Sequence, residues 1–240
     1  MDRAARDHLQ HGFVLHRRDF GNTSLILELF SAAHGRLPAL AKGAKRGRAP
    51  TAALLQPFRP LWLSWSGRGE VRTLTRSEPA GNAFALSGEA LYCGFYLNEL
   101  VLRILGRGDP HAALFAFYHA ALSDLSQEGR HLERVLRQFE LRLLQELGFT
   151  GAMDREVEGE PVLGNRRYLV TPDLGPRAAR PGEEGASVSG TTLLGLAAGA
   201  PLNGECAREA RLLMRRLLAP HLGDRPLKSR ELFRRWRETG

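Results

Sequence analysis

The chain has 240 residues, 43% hydrophobic and 25% charged, with 34 Lys and Arg against 26 Asp and Glu, a formal net charge of +8. That length predicts one or two domains with a real hydrophobic core, and no apolar run approaches the roughly 18 residues of a membrane span. Residues Met1 to Gln10 carry Asp2, Arg3, Arg6 and Asp7 with no apolar stretch behind them, which argues against export. Cys93 and Cys206, far apart and with no C-x-x-C pair, exclude a disulfide framework and a four-cysteine zinc site, so a reducing, cytoplasmic setting is expected.

The charge is segregated. Residues 1–80 hold 13 basic and 6 acidic side chains, residues 81–206 hold 11 and 16, and residues 207–240 hold 10 and 4. An Arg-rich codon bias explains why only three of the basic residues are Lys, but not this division. A basic first third and a basic tail predict a polyanionic partner, nucleic acid first of all.

In chain order, Gly12–Arg17, Ser24–Phe30, Arg36–Ala41, Arg59–Ser66 and Gly69–Thr75 read as five short strands between turn residues. Leu61, Leu63 and Trp65 alternate with Trp62 and Ser64, which puts Trp62 on the outer face. Five strands in about 80 residues with no helical periodicity between them predict a small barrel of the OB type. Past Ser87 the period becomes helical. The segment from Leu91 to Leu105 is apolar nearly all round and predicts a buried central helix. Asp109 and Pro110 suggest the cap and first position of a second helix running to about Ser126, and a third spans roughly Leu132 to Leu147 before Gly148. The acidic, Gly/Pro-rich stretch from about 149 to 190 reads as an irregular excursion with one strand at Arg167–Thr171. Helices return near Thr191 and through Ala207–Leu218, and a short basic helix follows Ser229. The fold class predicted is therefore α+β, a five-stranded OB barrel over residues 1–82 and a mainly helical domain over 83–240.

Arg36, Lys42, Lys45, Arg46 and Arg48 place five cations and no anion in 13 residues broken by small side chains. Such a segment suits a phosphate backbone, and Arg68 and Arg72 on a neighbouring hairpin would assist it. Phe13, Phe20, Phe30, Phe58, Trp62 and Trp65 could include stacking platforms, although core packing is expected to claim most of them, and Trp62 is the foremost candidate. The basic helix bearing Arg230, Arg234, Arg235 and Arg237 is the runner-up surface. Catalytic patterns are weak, with no P-loop, no G-x-S-x-G and no H-E-x-x-H. Asp154, Glu156, Glu158 and Glu160 are the one acidic cluster a metal-dependent nuclease, the rival class, would need, and they read better as a solvated segment. No catalytic residue, cofactor or metal is expected.

Several stretches, taken in order, resemble the RecO family of DNA repair proteins. They are Val14-Leu15-His16-Arg17-Arg18-Asp19-Phe20-Gly21-Asn22-Thr23-Ser24-Leu25, Leu40-Ala41-Lys42-Gly43-Ala44, Gln56-Pro57-Phe58 and Gly69-Glu70-Val71-Arg72-Thr73-Leu74. Beyond them come Tyr96-Leu97-Asn98-Glu99-Leu100, Phe139-Glu140-Leu141, Leu147-Gly148-Phe149 and Pro226-Leu227-Lys228-Ser229-Arg230-Glu231-Leu232-Phe233. The resemblance implies an OB domain followed by helices. It also implies a mediator that binds single- and double-stranded DNA, anneals complementary strands and, with RecR, loads RecA onto strands coated by single-stranded-DNA-binding protein, at the nucleoid during repair. Some members hold zinc on cysteines after the Leu-Gly-Phe element; Thr150 to Pro161 has none here. The resemblance further implies that Arg137 and Arg208 receive the acidic tail of the single-stranded-DNA-binding protein; by its chemistry and spacing, Leu141 is the apolar neighbour expected to take the tail's terminal side chain. Arg130, Arg134, Arg137 and Leu141 share one helix face by 4-3-4 spacing. The bland alternative pairs Arg134 and Arg137 with Glu133 or Glu140.

Overall fold

A computed structural model describes residues 9–46, 51–129, 131–183 and 187–239. By contacts the chain forms two compact units, one of residues 1–126 with 226–240 and one of 127–225. The expected division at 82/83 separates the barrel from the helices. The contact grouping instead keeps the first two helices and the last one with the barrel.

In the first unit, β1 (Gln10–Phe20), β2 (Ser24–Ser31), β3 (Gly35–Ala41), β4 (Leu61–Ser66) and β5 (Arg72–Pro79) close into a barrel in the order β1-β2-β3-β5-β4. All pairings are antiparallel except β3 with β5. This is the Greek-key closure of the OB barrel. Its interior is filled by Val14, Leu25, Leu27, Leu29, Leu37, Ala39, Leu61 and Leu63, the inward members of alternating strands. β4 begins after Pro60, which cannot donate to the ladder. The expected alternation in β4 holds for exposed Trp62 but fails at Ser64, which is buried. The register with β5 shifts between Ser64 and Trp65, and a bulge of this kind turns successive side chains to one face.

The same device shapes β1. Its register with β2 shifts between Val14 and His16, which leaves Leu15 without a cross-strand partner. The Leu15 carbonyl accepts instead from Asn98 Nδ2 at 2.8 Å, and Asn98 Oδ1 accepts from the Tyr118 hydroxyl at 2.6 Å. Asn98 lies on α1 (Gly88–Ile104) and Tyr118 on α2 (Ala112–Leu125). Both are buried, and burial pushes the Tyr118 phenol well above its ordinary pKa. Phe13 and Phe30, on the outer surface of β1 and β2, pack edge-on against Tyr118 and lie against Phe115, so α2 covers that face. Asn98→Leu is expected to lower stability by about 2 kcal/mol, because it removes two buried hydrogen bonds, one to the Leu15 carbonyl and one from the Tyr118 hydroxyl. Chemical denaturation measures this, and a loss under 0.5 kcal/mol would refute the role given to Asn98.

α2 starts at Ala112 with His111 at the cap position, two residues later than expected. The Asp109 carboxylate faces His111 Nε2 at 3.1 Å instead of capping the helix. Gly35, at φ 61°, opens β3 where a Cβ would overlap the Asp109 carbonyl oxygen, so the chain there needs glycine.

α6 (Lys228–Thr239) packs on α1, with Phe233 and Trp236 against Tyr92. Glu99 of α1 accepts from the Lys228 and Ser229 N–H groups and from Ser229 Oγ, capping α6 from outside, and pairs with Arg103 at 2.8 Å. Burial alone would raise the Glu99 carboxyl, but the Ser229 and Lys228 hydrogen bonds and Arg103 outweigh it and hold the group below the ordinary value of 4.5. A depressed folded pKa means that its contribution is complete above pH 4.5 and is lost as the pH falls through the folded value. Amide exchange in α6 should therefore accelerate below pH 4.5, and Glu99→Gln should remove most of that pH dependence. An identical acid response in both proteins would exclude this carboxylate as the cause.

The second unit holds α3 (Leu132–Glu146), a small sheet in the order β7-β6-β8 from β6 (Arg167–Thr171), β7 (Gly175–Ala178) and β8 (Val188–Ser189), then α4 (Gly190–Ala198) and α5 (Gly204–Leu222). Only β6 was expected in the excursion. β7 reads Gly-Pro-Arg-Ala, without alternation, and exists through its pairing of Leu169 with Arg177 and Val170 with Pro176. The Glu209 carboxylate ties this sheet to α5, accepting from Thr192 Oγ1, Ser189 N–H, Ser189 Oγ and Arg167.

Candidate functional site

Lys42, Lys45 and Arg46 occupy the turn that follows β3, and the barrel brings the β1–β2 turn beside them. The Lys45 N–H donates to the Thr23 carbonyl at 2.9 Å, the Gly43 N–H to Ser24 Oγ at 3.3 Å, and the Arg46 N–H to the Gly43 carbonyl at 2.9 Å. Gly43 at φ 66° lets the chain turn here. Lys42 and Arg46 are exposed. Lys45 is half-buried and pairs with Asp19 at 3.1 Å, itself mostly exposed. Arg18 and Phe20, at the end of β1, are exposed beside this turn, Phe20 to 53%. One end of the barrel thus presents four cations and an aromatic ring around a polar turn. Arg48 lies outside the described residues.

Arg68 and Arg72 do not join that cluster. β3 and β5 run parallel with Ala39 opposite Arg72, so the β4–β5 loop carrying exposed Arg68 opens from the other end of the barrel. Arg72 turns back to donate to the Gly67 carbonyl. Arg36 is corrected more strongly: it is turned inward and donates to the Leu102 carbonyl near the C-terminal end of α1. Burial lowers its pKa, with Glu28 opposing and Arg107 adding to the decrease. Arg107 in turn pairs with Glu28 at 2.6 Å. This part of the β2–β3 outer face, where OB barrels hold oligonucleotides, is occupied by the α1–α2 connection. Trp62 is 41% exposed on β4 and sits 5.1 Å from the His11 ring on β1, not at the basic turn.

Sequence reasoning passed over Arg18. Its signal was the length of β1, which continues to Phe20 past the bulge at Leu15 and so carries Arg18 to the hairpin end.

In the second unit, Glu133, Arg134, Arg137 and Gln138 of α3 line a small cleft of about 20 Å³ with Leu196, Ala200, Leu202 and Ala207. The side chains on α3 are fixed from several directions. Gln138 donates to the Leu196 carbonyl at 2.7 Å, Arg134 to the Gly199 carbonyl at 3.3 Å, and Arg137 pairs with fully buried Glu140 at 2.9 Å. Glu133 pairs with Arg211 of α5. The expectation for Leu141 is overturned: it is 2% exposed in the core beside Leu143 and Leu144 and does not line the cleft. The apolar wall comes from Leu196, Ala200, Leu202 and Ala207 instead. Arg208 is exposed, next in sequence to Ala207. Arg130 lies outside the described residues.

The acidic stretch has local employment. Glu156 accepts from the Ala178 N–H at 3.1 Å, and Arg155 and Pro161 form a bridge that folds the segment back on itself. Among the described residues no three of His, Cys, Asp and Glu gather as metal ligands, and no helix is long and apolar enough to cross a membrane.

Known proteins share this chain along nearly all its length. The family model of the recombination protein O N terminal matches residues 6–83, and that of the recombination protein O C terminal matches residues 85–231. The DNA repair protein RecO of Methylococcus capsulatus is 48% identical over 227 residues, covering 94% of this chain and 93% of the relative. That of Nitrosospira multiformis is 44% identical over 236 residues, 97% of each, and that of Halorhodospira halophila 45% identical over 232 residues, 95% and 97%. With an OB barrel and helices matched by both family models in the expected order, the chain belongs to the RecO family.

Proposed function

We propose that this chain is a non-enzymatic mediator of DNA repair by recombination. It binds single- and double-stranded DNA through phosphate contacts, anneals complementary strands and, with RecR, loads RecA onto strands coated by single-stranded-DNA-binding protein at the nucleoid. The observation that carries the reading is the hairpin end of the barrel, where Arg18, Lys42, Lys45 and Arg46 surround a turn beside exposed Phe20, with Arg48 following in sequence. Cations on a closed barrel neutralise phosphates without selecting bases, and an exposed ring stacks on any base. Annealing asks for this combination, because two polyanions must approach while their base edges stay available. It asks for no covalent chemistry.

The cleft between α3, α4 and α5 supports the partner reading. An acidic tail ending in an apolar residue and a free carboxylate would present its carboxylate to Arg137, its upstream acids to Arg208 and its terminal side chain to Leu196 and Leu202. Arg forks take carboxylates bidentately. Fluorescence anisotropy of a labelled single strand, titrated with salt, tests the DNA reading: the logarithm of the association constant should fall linearly with the logarithm of salt concentration. Absence of binding at low salt ends it.

A further inference from the structure

α6 carries a second strongly charged surface that the barrel end does not include. Lys228, Arg230, Arg234, Arg235 and Arg237 stand against Glu231 and Glu238 on twelve residues. Arg230, Arg234 and Arg237 follow 4-3 spacing and so form a stripe along one flank, over about 10 Å of helix axis. Glu231 and Glu238 lie on the neighbouring crest, which confines an anion to the flank.

The stripe is held in place. Arg230 lies over the Tyr96 ring, 5.5 Å from its centroid, and Arg237 over the Phe233 ring at 5.9 Å. Beneath them Phe233 and Trp236 pack on Tyr92, and Glu99 anchors the first turn. Trp236 remains 37% exposed beside the stripe and Arg234 is exposed.

α1 separates this stripe from the barrel. Tyr92, Tyr96, Glu99 and Arg103 form the α1 stripe that meets α6, whereas Gly94, Leu97, Asn98 and Val101 lie on the opposite face, from which Asn98 reaches Leu15 of β1. The stripe is therefore a layer removed from the hairpin end, within the same compact unit.

We propose that α6 is a second nucleic-acid site, which holds the backbone of a second strand while the hairpin end holds the first. This rests on the DNA-binding reading above. The charge and the partly exposed indole suit a phosphate chain with a base against the ring. A lipid surface would need the apolar face of α6, where Phe233 and Trp236 already pack on Tyr92 and the apolar exposure left is that of Leu232 and part of Trp236.

The test uses the full chain with one labelled oligonucleotide bound, followed by capture of a second, non-complementary oligonucleotide, and annealing rates with a complementary one. Arg234→Ala with Arg237→Ala keeps Arg230 on Tyr96. In this variant the first strand should bind within about twofold of the unaltered chain. The salt slope of second-strand capture should fall by about 1.4, two contacts at roughly 0.7 each, and annealing should slow. Unchanged second-strand capture overturns the proposal, as does an equal fall for both strands, which would make α6 an extension of one site. Binding to phosphatidylglycerol vesicles that depends on these two Arg while strand capture does not would also overturn it. If the unaltered chain binds no strand at all, the DNA reading falls and this one with it. First-strand binding together with second-strand capture that does not depend on α6 removes only the second site.

Discussion

Replacing Lys42, Lys45 and Arg46 together by Ala should lower the salt slope of single-strand binding by about 2, since each lost phosphate contact contributes roughly 0.7. Over a fourfold rise in salt, the unaltered chain should lose about 16-fold more affinity than the variant. The three side chains are not equal contributors. Lys42 and Arg46 are exposed, whereas Lys45 already faces Asp19 at 3.1 Å, so part of its field is spent within the protein. Asp19→Asn should therefore tighten binding at low salt, and the gain should vanish at high salt as screening removes it. Phe20→Ala should weaken binding without changing the slope, because stacking releases no counterions. A slope that survives the triple replacement would move the site to Arg68 and Arg72 or to α6.

The barrel was legible because its strands are bounded by turn residues and alternate in the ordinary way, and because Pro57 and Pro60 mark the entry to β4. The departures have local causes that alternation cannot reveal. Bulges at Leu15 and after Ser64 displace the pattern by one residue, and the first of them depends on Asn98, 83 positions away in sequence. Arg36 looked like a member of a basic run, yet its fate is decided by the Leu102 carbonyl, which only the folded chain brings near. The short strand β7 has no propensity of its own and is stabilised by β6. In the cleft, the spacing on α3 identified Arg134 and Arg137 correctly as neighbours but misplaced Leu141. A residue four positions on from Arg137 is close enough to share its face and far enough round to enter the core. The apolar wall comes from α4, α5 and the segment joining them, more than fifty residues later, and no periodicity on α3 could have named it.

Arg137 carries the second large effect, and it is a double one. Glu140 is fully buried and faces Arg137 at 2.9 Å. Removing the guanidinium takes from that carboxylate an opposite charge held against it in a low-dielectric site, so Arg137→Ala should cost about 3 to 5 kcal/mol of stability. It should also abolish binding of an acidic peptide with an apolar C-terminal residue and a free carboxylate, but a weakened fold would do that as well. Adding Glu140→Gln separates the causes. The double variant has no buried charge to strand and should recover most of the stability, while the peptide still finds no Arg at the cleft. Calorimetry with the peptide, chemical denaturation and single-strand binding, run on the same three proteins, give the decisive pattern. Stability should fall and then recover, peptide affinity should fall and stay low, and DNA binding by the recovered double variant should match that of the unaltered chain. If peptide affinity returns with stability, Arg137 is a structural partner of Glu140 and the tail docks elsewhere. If DNA binding by the double variant falls together with the peptide's, the cleft is not a site separate from the DNA surface.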